Sequence, residues 1–357
     1  MEGFSARSHS DAYSVSTRLT GQDLPLRSPR RRFVGLLVLF IFNFILVFIV
    51  SPPARAETTF RVATYNLENY LLAEHDGRPA KPVAARAKIR ETIRALNADV
   101  LALQEIGGAA ALEELRSSLA SEGCRYDHWE LVNGHDPHIS VALLSRFPIV
   151  ARRPHPRESF LLLGRRHFVS RGFLEVDLQP APGYQLTLFS AHLKSRRAVL
   201  EADEAELREQ ESRLLREKVE ARLALDPKVN LVVLGDFNDT KDSKTIKTLV
   251  GKGNLGLIDT RPRERVSRDP MSDPLDGESR AVTWTHYYGK EDTYSRIDYL
   301  LISRGLYHEW IREQTEILAR PDWGAASDHR PLVAVFRTDD RGIVPTARKR
   351  SVKRKEP

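Results

Sequence analysis

Six short polar motifs, each placed at the end of a hydrophobic run, constrain the fold of this chain more than any other feature. The motifs are TYNLEN (64–69), LQE (103–105), AHLKS (191–195), LGDFND (234–239), SRIDYLL (295–301) and SDHRPL (327–332). The runs have strand length and are rich in aliphatic and β-branched residues, which is typical of buried strands. Loops over a rigid sheet bring distant residues together. We therefore predict one sheet-based domain that gathers the motifs.

Helical patterns alternate with the strand-like runs along the same part of the chain. Apolar spacing predicts helices over 82–96, 110–119 and 198–224. The alternation favours a single domain over residues 57–338, which is long for one domain but within the range of such architectures. The predicted strands cover 59–66, 98–105, 140–145, 171–178, 185–191, 230–237, 296–303 and 331–337.

The net charge of the chain comes from its two ends. The formal charge is +7 over 357 residues, but the first 56 residues contribute +4 and the last 17 contribute +6. The segment between them therefore has a net charge of −3. Because the basic residues belong to the ends, the high isoelectric point does not indicate that the folded domain binds nucleic acid. Residues 339–357 are predicted to be a basic disordered tail.

The N-terminal segment has the pattern of a targeting sequence. A basic region over residues 1–32 ends in RSPRRR and precedes an apolar run over 33–50, and Ala54-Arg55-Ala56 follows. This order predicts a signal peptide over 33–56 that is cleaved after Ala56. At 18 residues the apolar run could also span a bilayer as an uncleaved signal anchor. Both alternatives predict a domain outside the cytoplasm, either exported (periplasmic or extracellular) or attached to the membrane through residues 33–50.

The polar side chains of the motifs have the chemistry of a metal-assisted phosphoester site. Carboxylate and amide oxygens are the ligands that a hard cation such as Mg²⁺ prefers, and Mn²⁺ can substitute for it. A carboxylate at the end of a buried strand is costly unless a cation or hydrogen-bond donors lie beside it. The predicted site residues are Asn66, Glu105, His192, Asp236, Asn238, Asp298, Asp328 and His329.

In its motifs and their order, the chain resembles the endonuclease/exonuclease/phosphatase superfamily. That superfamily includes pancreatic deoxyribonuclease, apurinic endonucleases, neutral sphingomyelinases and inositol polyphosphate 5-phosphatases. LGDFND and SDHRPL are specific motifs, whereas LQE alone would be weak. The resemblance covers the chain from Thr59 to about Arg337. It implies an α+β fold, a four-layer α/β/β/α sandwich with a single catalytic domain.

The resemblance also implies roles for the residues that could hold a metal ion or activate water. Asn66, Glu105 and Asp328 match metal-site positions, with Glu105 as the direct carboxylate ligand. Asp236 matches the aspartate that orients or deprotonates the attacking water, and Asn238 matches the amide that positions water and phosphate. The reaction would be in-line attack of water on a phosphate ester.

The two histidines match positions that act on the phosphate and on the leaving group. His329 matches a histidine that contacts the scissile phosphate and shuttles a proton, and Asp298 matches the carboxylate that fixes its tautomer. His192 matches the second active-site histidine, which could donate a proton or a hydrogen bond to the leaving oxygen.

The substrate remains open at this stage. A monomeric exported nuclease acting on phosphodiester bonds is our first prediction, because scavenging of nucleic acid fits export. A phospholipid or inositol-phosphate phosphoesterase is the alternative, since members of one fold differ in substrate through their loops. A non-catalytic binding module is the third interpretation, and it predicts that some of the polar motif residues should be missing. None of the eight is missing.

Overall fold

The computed structural model describes residues 58–266, 278–279 and 281–339. The regions predicted over 1–32 and 33–56 lie outside the described residues, and so does the tail predicted over 339–357 except for Asp339. Within the described segments, no helix is both long enough and apolar enough to cross a membrane.

The described part of the chain contains four α-helices and eighteen strands. The helices are α1 (Val83–Leu96), α2 (Gly108–Ser121), α3 (Glu204–Leu225) and α4 (Lys244–Val250). The strands are β1 (Thr59–Tyr70), β2 (Val100–Ile106), β3 (His128–Val132), β4 (Ser140–Ser145), β5 (Ile149–Arg152), β6 (Ser159–Leu162), β7 (Arg165–Phe168), β8 (Phe173–Ala181), β9 (Tyr184–His192), β10 (Leu231–Asp236), β11 (Ile258–Asp259), β12 (Arg263–Val266), β13 (Glu278–Ser279), β14 (His286–Tyr288), β15 (Thr293–Ser295), β16 (Asp298–Ile302), β17 (Trp310–Ala319) and β18 (Leu332–Arg337).

Most of the strands form two large mixed sheets. The eight-stranded sheet has the order β13-β12-β17-β18-β1-β2-β4-β3, and the six-stranded sheet has the order β11-β16-β10-β9-β8-β5. Each sheet contains a parallel pair that ends in the motifs, β1 with β2 and β9 with β10, and the other neighbours of these strands, β18, β4, β16 and β8, are antiparallel to them. In the eight-stranded sheet β12 and β17 are also parallel. β6–β7 and β14–β15 form two separate hairpins.

Three apolar clusters show that the elements stack in four layers. Side chains of the eight-stranded sheet such as Val62 pack against side chains of the six-stranded sheet such as Val232, between the two sheets. The neighbouring residue Ala63 faces the other way and packs under α1 and α2. Val233 likewise packs under α3 and α4. Because successive strand residues point to opposite faces, each sheet buries both faces, and the predicted α/β/β/α sandwich is confirmed.

The third helix begins later than the sequence pattern indicated. We predicted a helix over 198–224, but α3 begins at Glu204, where the Asp203 side chain accepts hydrogen bonds from the backbone N–H groups of Ala205 and Glu206. Such an acidic N-cap is a strong helix start. The segment before it is a loop in which Leu200 is fully exposed. The prediction was wrong there because the charged helical pattern continues across the cap.

A buried ion cluster ties β8 to α3. The Glu175 carboxylate accepts hydrogen bonds from His155 at 2.7 Å and from Arg222 at 2.5 Å, and it also pairs with Arg153. Although burial opposes the change, these three partners lower the pKa of Glu175 to about 2. Because the partners of Glu175 come from the segment before β6 and from α3, we read the cluster as a structural element.

Candidate active site

The predicted site residues meet at one edge of the two sheets. Asp236, the last residue of β10, is paired in register with His192 on β9 and with Asp298 on β16. Asn66 on β1 and Glu105 on β2 lie opposite them on the other sheet. We call this edge, where β1, β2, β9 and β10 bring their motif residues together, the site edge. Register alone therefore places three of the predicted residues at one level.

A glycine lets the two central strands approach at this edge. Gly235 has φ +135°, and a Cβ added there would lie 2.0 Å from the carbonyl oxygen of Ala191 on the neighbouring strand. Real side chains cannot be accommodated at that distance, and the positive φ itself disfavours any L-residue. The glycine of LGDFND is therefore needed to place Asp236 beside His192.

Asp236 is the residue on which the site converges. Its Oδ2 accepts hydrogen bonds from Asn66 Nδ2 at 3.0 Å and Asn238 Nδ2 at 3.3 Å, and its Oδ1 accepts one from the Asn238 backbone at 2.9 Å. His192 Nε2 lies 3.4 Å from the same Oδ2. Burial, followed by the nearby charge of Asp298, raises the pKa of Asp236 to about 7. The carboxylate is thus surrounded by donors from both sheets.

His329 is held between two buried carboxylates. Its Nδ1 lies 2.8 Å from Asp298 Oδ2, and its Nε2 lies 3.8 Å from Asp236 Oδ2. The Oγ1 of Thr285 accepts a hydrogen bond from the backbone N–H of Asp298 at 3.1 Å, which fixes the start of β16. Although burial alone would lower it, the two carboxylates hold the pKa of His329 well above its ordinary value. The Nδ1–H directed at Asp298 leaves Nε2 facing Asp236.

Glu105 lies on the opposite sheet in a left-handed backbone conformation. Its φ is +62°, and the pairing of β2 with β4 shifts register at this residue. Oε2 accepts a hydrogen bond from the Asn69 backbone N–H at 2.7 Å, while Oε1 lies 3.4 Å from Asn66 Nδ2 and 3.9 Å from His192 Nε2. An unusual φ at a non-glycine residue is maintained only where its surroundings determine it, and often at functional sites. The bulge turns the Glu105 carboxylate towards Asn66 and His192.

Asn238 and His192 are held by the chain that follows β9. Asn238 also has a positive φ, +53°, and its Nδ2 donates to the Leu193 carbonyl at 3.0 Å. The same carbonyl accepts a weaker bond from Arg171 at 3.4 Å. Burial, with the charge of Arg171 acting in the same direction, lowers the pKa of His192 well below its ordinary value. The surroundings of His192 therefore favour its neutral form.

Asp328 occupies the outer side of the site, together with a histidine that our sequence prediction missed. Its Oδ1 lies 3.8 Å from His329 Nε2, and its Oδ2 lies 3.6 Å from His286 Nε2. The His286 ring packs on the His329 ring at a centroid distance of 4.5 Å, and the two backbones form a bridge. Although burial opposes the change, His286 lowers the pKa of Asp328. The motif TWTH contained the only signal for His286, and it has no metal-ligand spacing.

A second missed contribution is the pair formed by Glu68 and Lys81. Lys81 Nζ donates to the Glu68 carbonyl at 2.8 Å and to its carboxylate at 3.1 Å. Burial raises the pKa of Glu68, and the charge of Asp328 acts in the same direction, so Glu68 faces the site. Glu68 belongs to TYNLEN, but nothing in the spacing of that motif distinguished it from a surface residue.

The donor set fits a divalent cation. Ligand atoms of Asp236, Asp298 and His329 lie within 4.8 Å of one another, and so do those of His286, Asp328 and His329. Two buried aspartates side by side are unfavourable without positive charge nearby. All eight predicted residues lie at the site edge, but neither of these two clusters includes Asn66 or Glu105, which we predicted as metal-site residues.

Comparisons with known proteins agree with this geometry. The sequence profile described as the Endonuclease/Exonuclease/phosphatase family matches residues 63–329. No curated protein matches the sequence.

Solved structures share the fold at low sequence identity. The human Nocturnin catalytic domain with bound sulfate is 19% identical, with a TM-score of 0.54, over 78% of this chain and 94% of that one. An endonuclease/exonuclease/phosphatase from Bacteroides vulgatus is 15% identical, with a TM-score of 0.53, over 78% and 99%. Sphingomyelinase C from Streptomyces griseocarneus is 18% identical, with a TM-score of 0.50, over 78% and 99%. At these identities the likeness establishes the fold alone.

Proposed function

This chain belongs to the endonuclease/exonuclease/phosphatase family, and from that membership we propose that it is a divalent-cation-dependent phosphodiesterase. The single observation that carries the proposal is the row Asp298–His329–Asp236, in which one buried imidazole is held at 2.8 Å by one carboxylate and faces another at 3.8 Å. A structural histidine would need only one of these partners.

Residues of the opposite sheet and of the outer loop would hold the cation. We assign Asn66 and Glu105 to it from one side and Asp328 from the other, with Mg²⁺ as the physiological ion and Mn²⁺ as a substitute. When bound, the cation supplies charge stabilisation to the phosphate oxygens. The hydrogen bond from Asn69 to Glu105 Oε2 leaves Oε1 as the freer ligand atom.

Asp236 and Asn238 would position the attacking water. Asp236 Oδ2 is the atom on which donors from both sheets converge, so a water there is oriented by the carboxylate and gives its proton to it. The water oxygen forms the new bond to phosphorus, and the bond from phosphorus to the leaving oxygen breaks. Asn238 Nδ2 donates to Asp236 Oδ2 and to the Leu193 carbonyl, so Asn238 would position the water through the carboxylate that it holds.

The two histidines would act on the phosphate and the leaving oxygen. His329 Nε2 faces Asp236, so it can contact a phosphate oxygen while Asp298 holds the other ring nitrogen. His192 Nε2 lies between Glu105 and Asp236 and can donate a hydrogen bond to the developing charge. No covalent intermediate with the protein is required.

Nucleic acid is the substrate class that we propose first. Two segments that leave the site edge carry exposed cations, Arg196 and Arg197 in the loop after β9, and Lys241 in the loop after β10 with Lys244 at the start of α4. Arg196 donates to the Asn238 carbonyl at 3.0 Å, which places its guanidinium beside the site. Cations on both sides of a phosphodiester site suit a polyanion whose binding weakens as salt rises.

Phospholipid head groups are the second candidate, because one observation favours them specifically. Large apolar side chains are exposed on several loops of the site edge, among them Leu72, Leu161, Leu163 and Tyr288. A soluble polyanion gives these side chains no partner, whereas a lipid surface does.

The experiment that tests the proposal compares the full-length chain on three substrates, with Mg²⁺ and with a chelator. The substrates are bis(4-nitrophenyl) phosphate, plasmid DNA and mixed phospholipid vesicles. We expect hydrolysis of the small diester to need the cation and to be lost in Asp236→Asn and His329→Ala. A matched control is Glu264→Gln, which changes a carboxylate paired with Arg330 at 2.7 Å, the residue next to His329. Wild-type protein that cleaves none of the three would instead support a non-catalytic module.

We also propose that the domain acts outside the cytoplasm and as a monomer. The support is the N-terminal sequence pattern, and the test is cell fractionation followed by N-terminal sequencing. A mature N-terminus at Glu57 indicates a cleaved signal peptide, and an intact N-terminus in the membrane fraction indicates an anchor. Protein that stays in the cytoplasm would contradict export. Light scattering of the purified protein tests the monomer.

A further inference from the structure

The hairpin β6–β7 is a separate two-stranded sheet whose base lies close to the start of β8. His155 forms an isolated bridge with Phe173, whose partner on β9 is Ala191, the neighbour of His192. At the base of the hairpin, Val169 donates to the Glu158 carbonyl at 2.9 Å, and the strands pair from Ser159 with Phe168 to Leu162 with Arg165. Four paired residues extend the chain by about 13 Å. The tip of the hairpin is therefore well separated from its base.

Leucines are exposed at the end of this projection. Leu161 is 69% exposed and Leu163 is 76% exposed, while Phe168 at the base is 44% exposed and stacks on His135. Adjacent exposed leucines keep apolar surface in water, which is unfavourable in proportion to their area. Within the hairpin, the Phe160 ring stacks on the His167 ring. The side chains of Leu161 and Leu163 remain mostly exposed beside this pair.

The backbone at the tip also disfavours a leucine. Leu163 and Gly164 form the two-residue turn between β6 and β7, with φ +52° and +74°. Two-residue hairpin turns with positive φ at both positions prefer Asn or Asp followed by Gly. A bulky side chain at positive φ is an outlier. Solvation and backbone preference thus both oppose Leu163, and local stability does not account for it.

The charges around the leucines are basic. Arg165 and Arg166 are exposed on β7, and Arg157 is exposed at the base of the hairpin. The one acidic residue of the segment, Glu158, pairs with Lys218 of α3 at 2.9 Å. The hairpin therefore presents an apolar tip bordered by arginines, and its acidic side chain is already compensated.

Other exposed apolar side chains lie in segments that follow or flank the motif strands. In the described part of the chain, eight of the twelve large exposed apolar residues lie in the hairpins β6–β7 and β14–β15 or in the loops that follow β1 and β9. Singly exposed apolar residues are ordinary, but a group that shares one edge indicates an interaction surface. The eight are Leu72, Leu161, Leu163, Phe168, Val199, Leu200, Tyr288 and Tyr294.

We propose that hairpin β6–β7 docks the site edge onto an anionic lipid bilayer. Leu161 and Leu163 enter the boundary between head groups and acyl chains, and Arg165 and Arg166 lie at the lipid phosphates. The arginines alone would suit a nucleic acid, but the leucines favour the bilayer. This inference concerns a binding surface, and it does not depend on the proposed hydrolysis.

The first test places an environment-sensitive dye on the hairpin of the full-length chain. The only native cysteine, Cys124, is buried, so a Leu161→Cys variant can be labelled at one position. The matched control is Leu225→Cys, a 78% exposed leucine at the end of α3. Vesicles that contain phosphatidylglycerol should shift the dye at 161 to an apolar spectrum, and a lipid-borne quencher should reach it. Because both variants have the same N-terminus, attachment through residues 33–50 affects them equally.

Two results of this test overturn the proposal. One is a dye at 161 that stays in water while the chain sediments with the vesicles. The other is a dye at 161 that responds to duplex DNA and not to vesicles, which would assign the hairpin to nucleic acid. A dye at 161 that responds equally to neutral phosphatidylcholine vesicles would show that the arginines do not select anionic lipid, and it would contradict that part of the proposal.

The second test separates function from structure at Leu163. In Leu163→Asn the turn gains a residue that tolerates positive φ, so the melting temperature should stay the same or rise. Removing this leucine should weaken the affinity of the hairpin for vesicles about tenfold. For Arg165→Gln with Arg166→Gln we expect a loss of about fivefold per charge. Hydrolysis of a small soluble diester should be unchanged in all of them. A Leu163→Asn protein that melts lower and still docks would show that Leu163 is structural and refute the proposal.

Discussion

Replacing Asp298 with asparagine removes a charge from the site without changing the size of the side chain. The Oδ2 of Asp298 lies 2.8 Å from His329 Nδ1, and both residues are buried. A hydrogen bond to a charged group contributes about 1.5–3 kcal/mol. At 1.36 kcal/mol per factor of ten, losing it from the transition state lowers kcat by about 10- to 160-fold. Asparagine can present its NH₂ to Nδ1 and select the wrong tautomer, which places the loss towards the upper end.

The assay is steady-state hydrolysis of bis(4-nitrophenyl) phosphate by purified protein with Mg²⁺. Because Asp298 lies behind His329 and does not face the substrate, we expect kcat to fall while KM changes by less than about threefold. Glu264→Gln is the matched control, since it also neutralises a buried carboxylate near His329 but leaves the site row intact. The control should lose stability and keep kcat.

One outcome would refute the reasoning. If Asp298→Asn unfolds as wild type does and its kcat stays within about twofold of wild type, the imidazole does not depend on this carboxylate. The row of three residues would then be a packing feature, and the phosphodiesterase proposal would lose the observation that carries it.

Three further predictions concern residues around the site and in the fold. The pKa of Glu175 is lowered to about 2 in the folded state, so the contribution of this carboxylate to the free energy of unfolding is present above pH 4.5 and is lost as pH falls towards 2. Glu175→Gln should lower the free energy of unfolding by about 2 kcal/mol near neutral pH, after allowance for solvent screening. Calorimetry at neutral and acid pH checks this, because the variant should lose less stability on acidification than wild type does. Gly235→Ala should abolish folding or lower the free energy of unfolding by more than about 3 kcal/mol. The control Gly77→Ala also changes a glycine at positive φ, but with open space around it, and should cost about 1 kcal/mol. Urea titration measures both, and equal costs would contradict the close approach of β9 and β10. His286→Asn should reduce kcat about 3- to 10-fold and weaken activation by the cation, and unchanged cation dependence would show that His286 does not position Asp328.

Much of the fold was predictable because its central strands are continuous apolar runs. β2 and β10 begin as unbroken apolar runs, whereas β1 and β9 are mostly apolar but include polar residues such as Arg61 and Gln185. The ends of all four strands coincide with the motifs. Strand β17 inside the eight-stranded sheet was missed, because its first six residues are exposed or only partly buried. The edge strands β3, β5 and β11 were not predicted either. They are short, and their burial alternates or is partial, so their composition resembles that of loops.

The site was predictable in its members and less so in its geometry. The motif order identified eight residues, and the structure places them at one edge. His286 was missed because it approaches Asp328 and His329 only through the pairing of its backbone with the last loop. Glu68 was missed because it reaches the site through a left-handed turn of β1, with φ +48° at Glu68 and +51° at Asn69, that no periodicity indicates. Both depend on tertiary contacts between segments far apart in the chain.

The contact between the first and last motifs determines when the protein can become active during its synthesis. The Ser327 hydroxyl donates to the Asn66 carbonyl at 2.8 Å across 261 residues, and β1 pairs with β18 as well as with β2. A ribosome adds about 5–20 residues per second, so β1 waits roughly 10 to 60 s for its second partner. The nascent chain acquires Glu105 and Asp236 during that interval, but it lacks His329 until the interval is almost over. The proposed activity therefore requires nearly the whole domain to have been made.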